Sequence, residues 1–266
     1  MYKDFNIIQP SPDLEAYVKQ YTILKANSPF YATQRVIPIG CVELIIYKTG
    51  KTKRKNDLTD VPQFFLGGSM SSYLDLTPES GEVCYISILF QPYGAKLFLN
   101  LPMDEIYNQI LSIEDIEDKS WLELCNCIID TPNTYTNINI IQNFLLKKLY
   151  NSSPLHLDRI KNSINTIYST SDIELTTLAD DSCLSPKQFK RVFQDYIGCN
   201  PKEFMRVIRF NKVLNTLKIG KSPNFAQIAQ EFGYSDQSHL IREFKAFSGY
   251  TPCKFLTPDV GLHHFA

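Results

Sequence analysis

The feature that most limits what this chain can fold into is an internal duplication. The segment LADDSCLSPKQFKRVFQDYIGCNPKEF (178–204) recurs as IAQEFGYSDQSHLIREFKAFSGYTPCKF (228–255). Ala179 and Ser185 match Ala229 and Ser235 at an offset of 50. One extra residue then moves the register to 51, so that Arg191, Phe193, Gly198, Pro201 and Phe204 match Arg242, Phe244, Gly249, Pro252 and Phe255. Such self-similarity marks one supersecondary unit used twice. Each copy reads as helix, tight turn, helix. The alanine lets two helices cross closely, Ser185 or Ser235 caps the second helix, and Gly198 or Gly249 ends it in the left-handed conformation. Gly233 supplies the turn of the second copy; Cys183 stands there in the first, which predicts a wider or strained turn. Between the copies, Asn200-Pro201-Lys202-Glu203 opens a linking helix with a cap, a proline at its first position and a glutamate at its third. Its periodic apolar residues run for about five turns and stop near Gly220.

At about 100° per residue the second helix of each copy divides into two faces. Phe189, Val192, Phe193 and Tyr196, and likewise Leu240, Ile241, Phe244 and Phe247, turn inward. Lys187, Lys190, Arg191 and Gln194, and likewise Ser238, His239, Arg242 and Lys245, turn outward on faces nearly free of carboxylates. A charged stripe alone is more often a solvated helix face. Two equivalent capped helices on a linking helix, spaced to enter successive major grooves about 34 Å apart, instead suit double-stranded DNA. Arginine forks onto guanine, glutamine and serine bond base edges, and lysine holds phosphates.

On these residues the segment 155–257 resembles the DNA-binding domain of the AraC/XylS family of bacterial transcription regulators. The resemblance implies base reading by Lys187, Lys190 and Arg191 in the first unit, and by Gln237, Ser238, His239 and Arg242 in the second. Phosphate contacts would come from Gln188, Gln194, Lys245 and the helix-start amides. It also implies a preceding domain, often a cupin-like barrel, that senses a ligand or dimerises. Residues 1–118 are similar to one such subtype through RVIPIGCVELIIYKTG, FFLGGSMSSYLDL and ISILFQPYGAKLFLNLPMDEIYNQILSIEDI.

The first half supports that division. Val42–Tyr47 and Val83–Phe90 are β-branched-rich runs separated by turn signals, which predicts a small β-barrel or sandwich. Lys51–Lys55 reads as a solvated hairpin loop. Trp121, Leu124 and Ile128, then Ile138, Ile141, Leu145 and Leu149, recur at helical spacing and predict two amphipathic helices that either cap the strands or form a dimer face. Asn151-Ser152-Ser153-Pro154 is the boundary signal. The expected class is therefore α+β in two domains: residues 1–150, a cupin-like barrel with flanking helices, and residues 155–257, an all-α double helix-turn-helix. Residues 154–266 carry fourteen Lys or Arg against eleven Asp or Glu, a balance of +3 where the whole chain has −1.

No catalytic residue, cofactor or metal is expected. The seven cysteines lack paired metal-ligand spacing, and the four histidines all lie after residue 155, so a cupin-type metal cluster would lack its histidine ligands in the first half. Arg35, Glu43, Tyr73 and Tyr85 are the polar groups able to line an apolar pocket and fix a small-molecule effector, with a tie between strand and loop as the plainer role for Arg35 or Glu43. No segment has the length of a membrane span or the pattern of a secretory signal, which reads as cytoplasmic. The function expected is a transcription activator controlled through its first half, with promoter DNA, RNA polymerase, an effector and a second copy of the chain as partners. The competing readings are a DNA-binding module whose barrel only dimerises, and a DNA-linked enzyme.

Overall fold

The computed structural model describes residues 4–27, 33–79, 81–150, 155–170, 173–219 and 224–257. Among these residues, nine strands occupy the first part: β1 (Asp4–Ile8), β2 (Val18–Asn27), β3 (Gln34–Val36), β4 (Glu43–Thr49), β5 (Thr52–Arg54), β6 (Phe64–Gly67), β7 (Leu74–Pro78), β8 (Glu82–Phe90) and β9 (Ile110–Ser112). They form a six-stranded sheet in the order β1-β2-β8-β4-β6-β9 and a three-stranded sheet in the order β3-β7-β5. Neither order closes into a ring among the described residues, so where a small barrel was expected the strands form two open sheets. The long apolar runs explain why. In β4, Leu44 and Ile46 point away from the small sheet, whereas Glu43, Ile45 and Tyr47 point toward it, and both faces are buried. A strand covered on both sides reads as a continuous apolar run rather than an alternating one.

Among the described residues, ten α-helices follow or interrupt the strands: α1 (Ala95–Phe98), α2 (Ser120–Asp130), α3 (Thr134–Tyr150), α4 (Leu157–Ser169), α5 (Leu175–Asp181), α6 (Pro186–Ile197), α7 (Pro201–Ile219), α8 (Phe225–Glu231), α9 (Gln237–Ser248) and α10 (Pro252–Phe255). The α2 and α3 stripes lie against the outer face of the large sheet, where Trp121, Ile128, Ile141 and Leu145 join Leu44, Ile86 and Ile88 in one core. Fully buried Trp121 is worth about 3–5 kcal/mol there against alanine. The Lys51–Lys55 run does not form a simple solvated loop. Thr52–Arg54 pairs with β7, Thr52 is buried, and Lys53 reaches Glu79 at 2.6 Å. A short basic run can serve as an edge strand because alternate side chains still reach water.

The two helix-turn-helix units have separate cores strung along α7. Phe204 and Ile208 of α7 pack with Phe189 and Phe193 of the first unit, while Val207, Phe210 and Leu214 pack with Leu240, Phe244 and Phe247 of the second. Each core also admits residues from the sheet part, Tyr93 in the first and Ile37 in the second. The boundary residues Asn151–Pro154 and Gly220 lie outside the described residues.

Candidate nucleic-acid interface

The duplication is realised to the level of single bonds. Helices α5 and α8 are offset by 50, and α6 and α9 by 51. In the first turn the amides of Cys183 and Leu184 donate to the carbonyls of Asp180 and Ala179; in the second, those of Gly233 and Tyr234 donate to Gln230 and Ala229. The turn at Cys183 is therefore no wider than its glycine counterpart, and the strain is confined to one residue, held at φ +51° against +71° at Gly233. Aromatic packing repeats as well. Phe193 meets Phe204 edge-on at 5.6 Å, and Phe244 meets Phe255 at 5.5 Å, so the start of α7 plays in the first unit the part that α10 plays in the second.

Ser185 caps α6 as expected, and it does so in a reciprocal box with Gln188 that was not expected from the sequence. In the second unit the cap is Asp236 rather than Ser235, and its carboxylate accepts the His239 amide at 2.7 Å. The extra residue of the second copy is thus Ser235 itself, inserted ahead of the cap. A serine and an aspartate one position apart are equally good caps, so composition could not choose between them.

Lys187, Gln188, Lys190 and Arg191 on α6, and Gln237, Ser238, Arg242 and Lys245 on α9, are exposed. Gln194 is half-buried, and Gln188 spends its side-chain carbonyl on the Ser185 cap. His239 is engaged within its own unit, with its ring edge-on to Tyr234 and Nδ1 3.2 Å from the Ser235 hydroxyl. Both carboxylates of α6 and α9, Asp195 and Glu243, are drawn off the outer face. Glu243, almost wholly buried, accepts from Arg206 at 2.7 Å and Arg209 at 2.9 Å on α7, and Asp195 is bound by Lys96 of the sheet part at 2.7 Å. What remains outward is a pair of faces made of cations and amides, which suits a polyanion.

Residues 178–257 match the family described as a helix-turn-helix domain, and residues 6–112 match a domain of unknown function, DUF6597. PqrA of Proteus vulgaris, described as a probable transcription factor, is 32% identical over 83 residues, which are 31% of this chain and 67% of that protein. The chain belongs to the AraC/XylS family. Another of its relatives, the arabinose operon regulatory protein of Escherichia coli (strain K12), is 24% identical over 125 residues, 44% of this chain and 42% of the relative, so the chain spans less than half of that protein. ToxT from Vibrio cholerae superposes with a TM-score of 0.49 at 16% identity, over 89% of this chain and 97% of that one.

The four effector-pocket residues expected in this AraC/XylS-family chain do not surround one cavity. Glu43 lines a small cavity between the sheets, about 50 Å3, with Ile37, Ile45, Phe65 and Gln109. Burial pushes its carboxyl up to about 7, partly offset by the neighbouring Ser87 hydroxyl. Tyr85 packs against Tyr47 in the apolar layer between the sheets. Arg35 and Tyr73 stand at the boundary with the second unit: Arg35 pairs with Asp75 through two bonds of 2.7 Å and lies over the rings of Tyr73 and Tyr250. A larger cleft of about 450 Å3 opens where β1 and β2 meet α7 and includes Lys19, Ile39, Tyr168, Lys212, Leu214 and Lys218. Desolvation lowers the pKa of Lys212 and Lys218. Nothing in the sequence pointed to this cleft, because its lysines are scattered over 200 residues and meet only through the fold.

Proposed function

We propose that the chain is a sequence-specific DNA-binding transcription activator, in which residues 155–257 read two successive major grooves and residues 1–150 control that reading. The single observation that carries the proposal is the pair of equivalent, capped reading helices whose outer faces keep Lys, Arg and Gln while Asp195 and Glu243 are held elsewhere. Arg242 and Arg191, exposed and at matching positions, are the residues best able to fork onto a guanine in each half-site. The test is affinity for duplexes selected from a random library. Arg242→Ala should weaken the selected site by roughly 1–3 kcal/mol and relax preference at one base pair. A uniform loss on every duplex would mean that Arg242 touches phosphate only.

Effector control has support from volume and charge. The cavity between the sheets holds little more than water, whereas the junction cleft falls within the roughly 300–1,000 Å3 of ordinary ligand sites. Among its described lining residues are three lysines and no carboxylate, beside Phe5, Ile39 and Leu214. That combination suits an anion with an apolar body, which would offset the desolvation of Lys212 and Lys218. The two open sheets would then serve as a cupin-like frame that also presents a surface for a second copy, with RNA polymerase recruited at the promoter. Thermal shift with alkyl and aryl carboxylates, compared between wild type and Lys212→Ala/Lys218→Ala, separates this reading from plain dimerisation. A stabilisation that persists in the variant would remove the cleft as the effector site.

A further inference from the structure

We infer that Arg35 and Ser69 are positioning residues for base reading, each holding one recognition helix by the same backbone atom; the inference rests on the DNA reading proposed above. The last carbonyls of a helix lack intrahelical partners and form its negative end. In α6 that group is the Ile197 carbonyl, which accepts the Ser69 hydroxyl at 2.7 Å inside the protein. In α9 the equivalent carbonyl, 51 residues later, belongs to Ser248 and accepts Nη1 of Arg35 at 3.1 Å. Two unlike donors from the sheet part thus capture the repeat-equivalent atom of the two units.

The residue after each carbonyl shows how close the approach is. Gly198 and Gly249 have φ of +94° and +74°. A Cβ on Gly198 would lie 2.9 Å from the Met103 carbonyl oxygen, and one on Gly249 would lie 2.3 Å from Nη1 of Arg35. Both glycines therefore serve the helix end and the contact across the boundary at once. Neither donor is loose. Asp75 fixes the guanidinium of Arg35 from the paired position on β7, while Ser69 is buried, two residues beyond the end of β6.

The donors belong to opposite sheets. Arg35 is on β3 of the small sheet, and Ser69 continues from β6 of the large one. Val36 and Ile37 beside Arg35, and Gly68 and Met70 beside Ser69, form walls of the cavity between the sheets. The spacing of the two sheets therefore sets where one helix end sits relative to the other, while α7 keeps the two units joined.

The experiment uses the full chain and a selected bipartite duplex, with single-base changes placed in each half-site. Ser69→Ala should reduce discrimination in the half-site read by α6 by roughly threefold to tenfold, the size of one lost hydrogen bond, and leave the α9 half-site as in wild type. Arg35→Gln combined with Asp75→Asn, which keeps a polar pair between β3 and β7 but gives up the reach to Ser248, should do the reverse. Thermal unfolding of each variant identifies one that has lost its fold, and the other variant then decides. Equal loss in both half-sites, as general destabilisation would give, or no loss in either, overturns the assignment. A wild-type chain that discriminates in neither half-site would instead sink the DNA reading, and this inference with it.

Discussion

Glu43→Gln should remove a stability loss that the wild-type chain suffers as pH rises from about 4.5 to about 7. The carboxyl lies at the start of β4, 7% exposed, among Ile45, Phe65 and Ile37, and its burial raises its pKa from 4.5 to about 7. Between those two values the unfolded chain gives up the proton while the folded chain keeps it. The folded state then binds more protons, so stability falls with rising pH across that window and levels off above 7. At about 1.4 kcal/mol per pH unit, the cost accumulated by pH 8 is on the order of 3 kcal/mol. Glutamine has nearly the same shape and does not titrate, so the variant should match wild type near pH 4.5 and exceed it by about that amount at pH 8. The only tryptophan, Trp121, is buried against the large sheet, so its fluorescence during urea unfolding reports the part of the protein that holds Glu43. Parallel stability profiles for the two proteins from pH 5 to 8 would refute the reasoning.

Two further outcomes concern the reading units. Glu243→Ala takes the counter-charge from Arg206 and Arg209, of which Arg209 also donates to the Gly233 carbonyl and stacks on Tyr234, and should cost about 2–3 kcal/mol given that Arg206 is half-exposed. Hydrogen exchange should show the loss in α8 and α9 and spare α5 and α6. Cys183→Gly relieves a left-handed backbone at a residue with a Cβ and should raise stability by up to about 1 kcal/mol, whereas Cys183→Val should lower it; melting temperatures that do not separate in that order would contradict the strain assigned to the turn.

Much of the reading half was legible because its signals are local. The matching of Gly198 with Gly249 and of Phe193 with Phe244, the cap at Ser185, and the proline that opens α7 each act within a turn or two of the chain, and the structure realises them. The Asp236 cap was missed because Ser235 beside it has the same chemistry, and only the register of the inserted residue decides between them. In the strand half, the runs at β4 and β8 and the stripes of α2 and α3 were visible, but how the strands are shared between sheets was not. Pairing of β2 with β8, and of β4 with β8 and β6, depends on contacts far apart in sequence that no local pattern records.

By itself the sequence determined that two equivalent helix-turn-helix units exist, that Ser185 caps α6 and that Gly198 and Gly249 end α6 and α9, since capping, helical period and backbone restriction act over a few residues. Only the tertiary structure decided that Asp195 and Glu243 are drawn from the outer faces of α6 and α9, that Arg35 reaches Ser248 while Glu43 is shut between the sheets, and that Lys19, Lys212 and Lys218 line one cleft. Those relations join residues tens to hundreds of positions apart, and their energies come from burial and close approach, which exist only after the two parts have packed together.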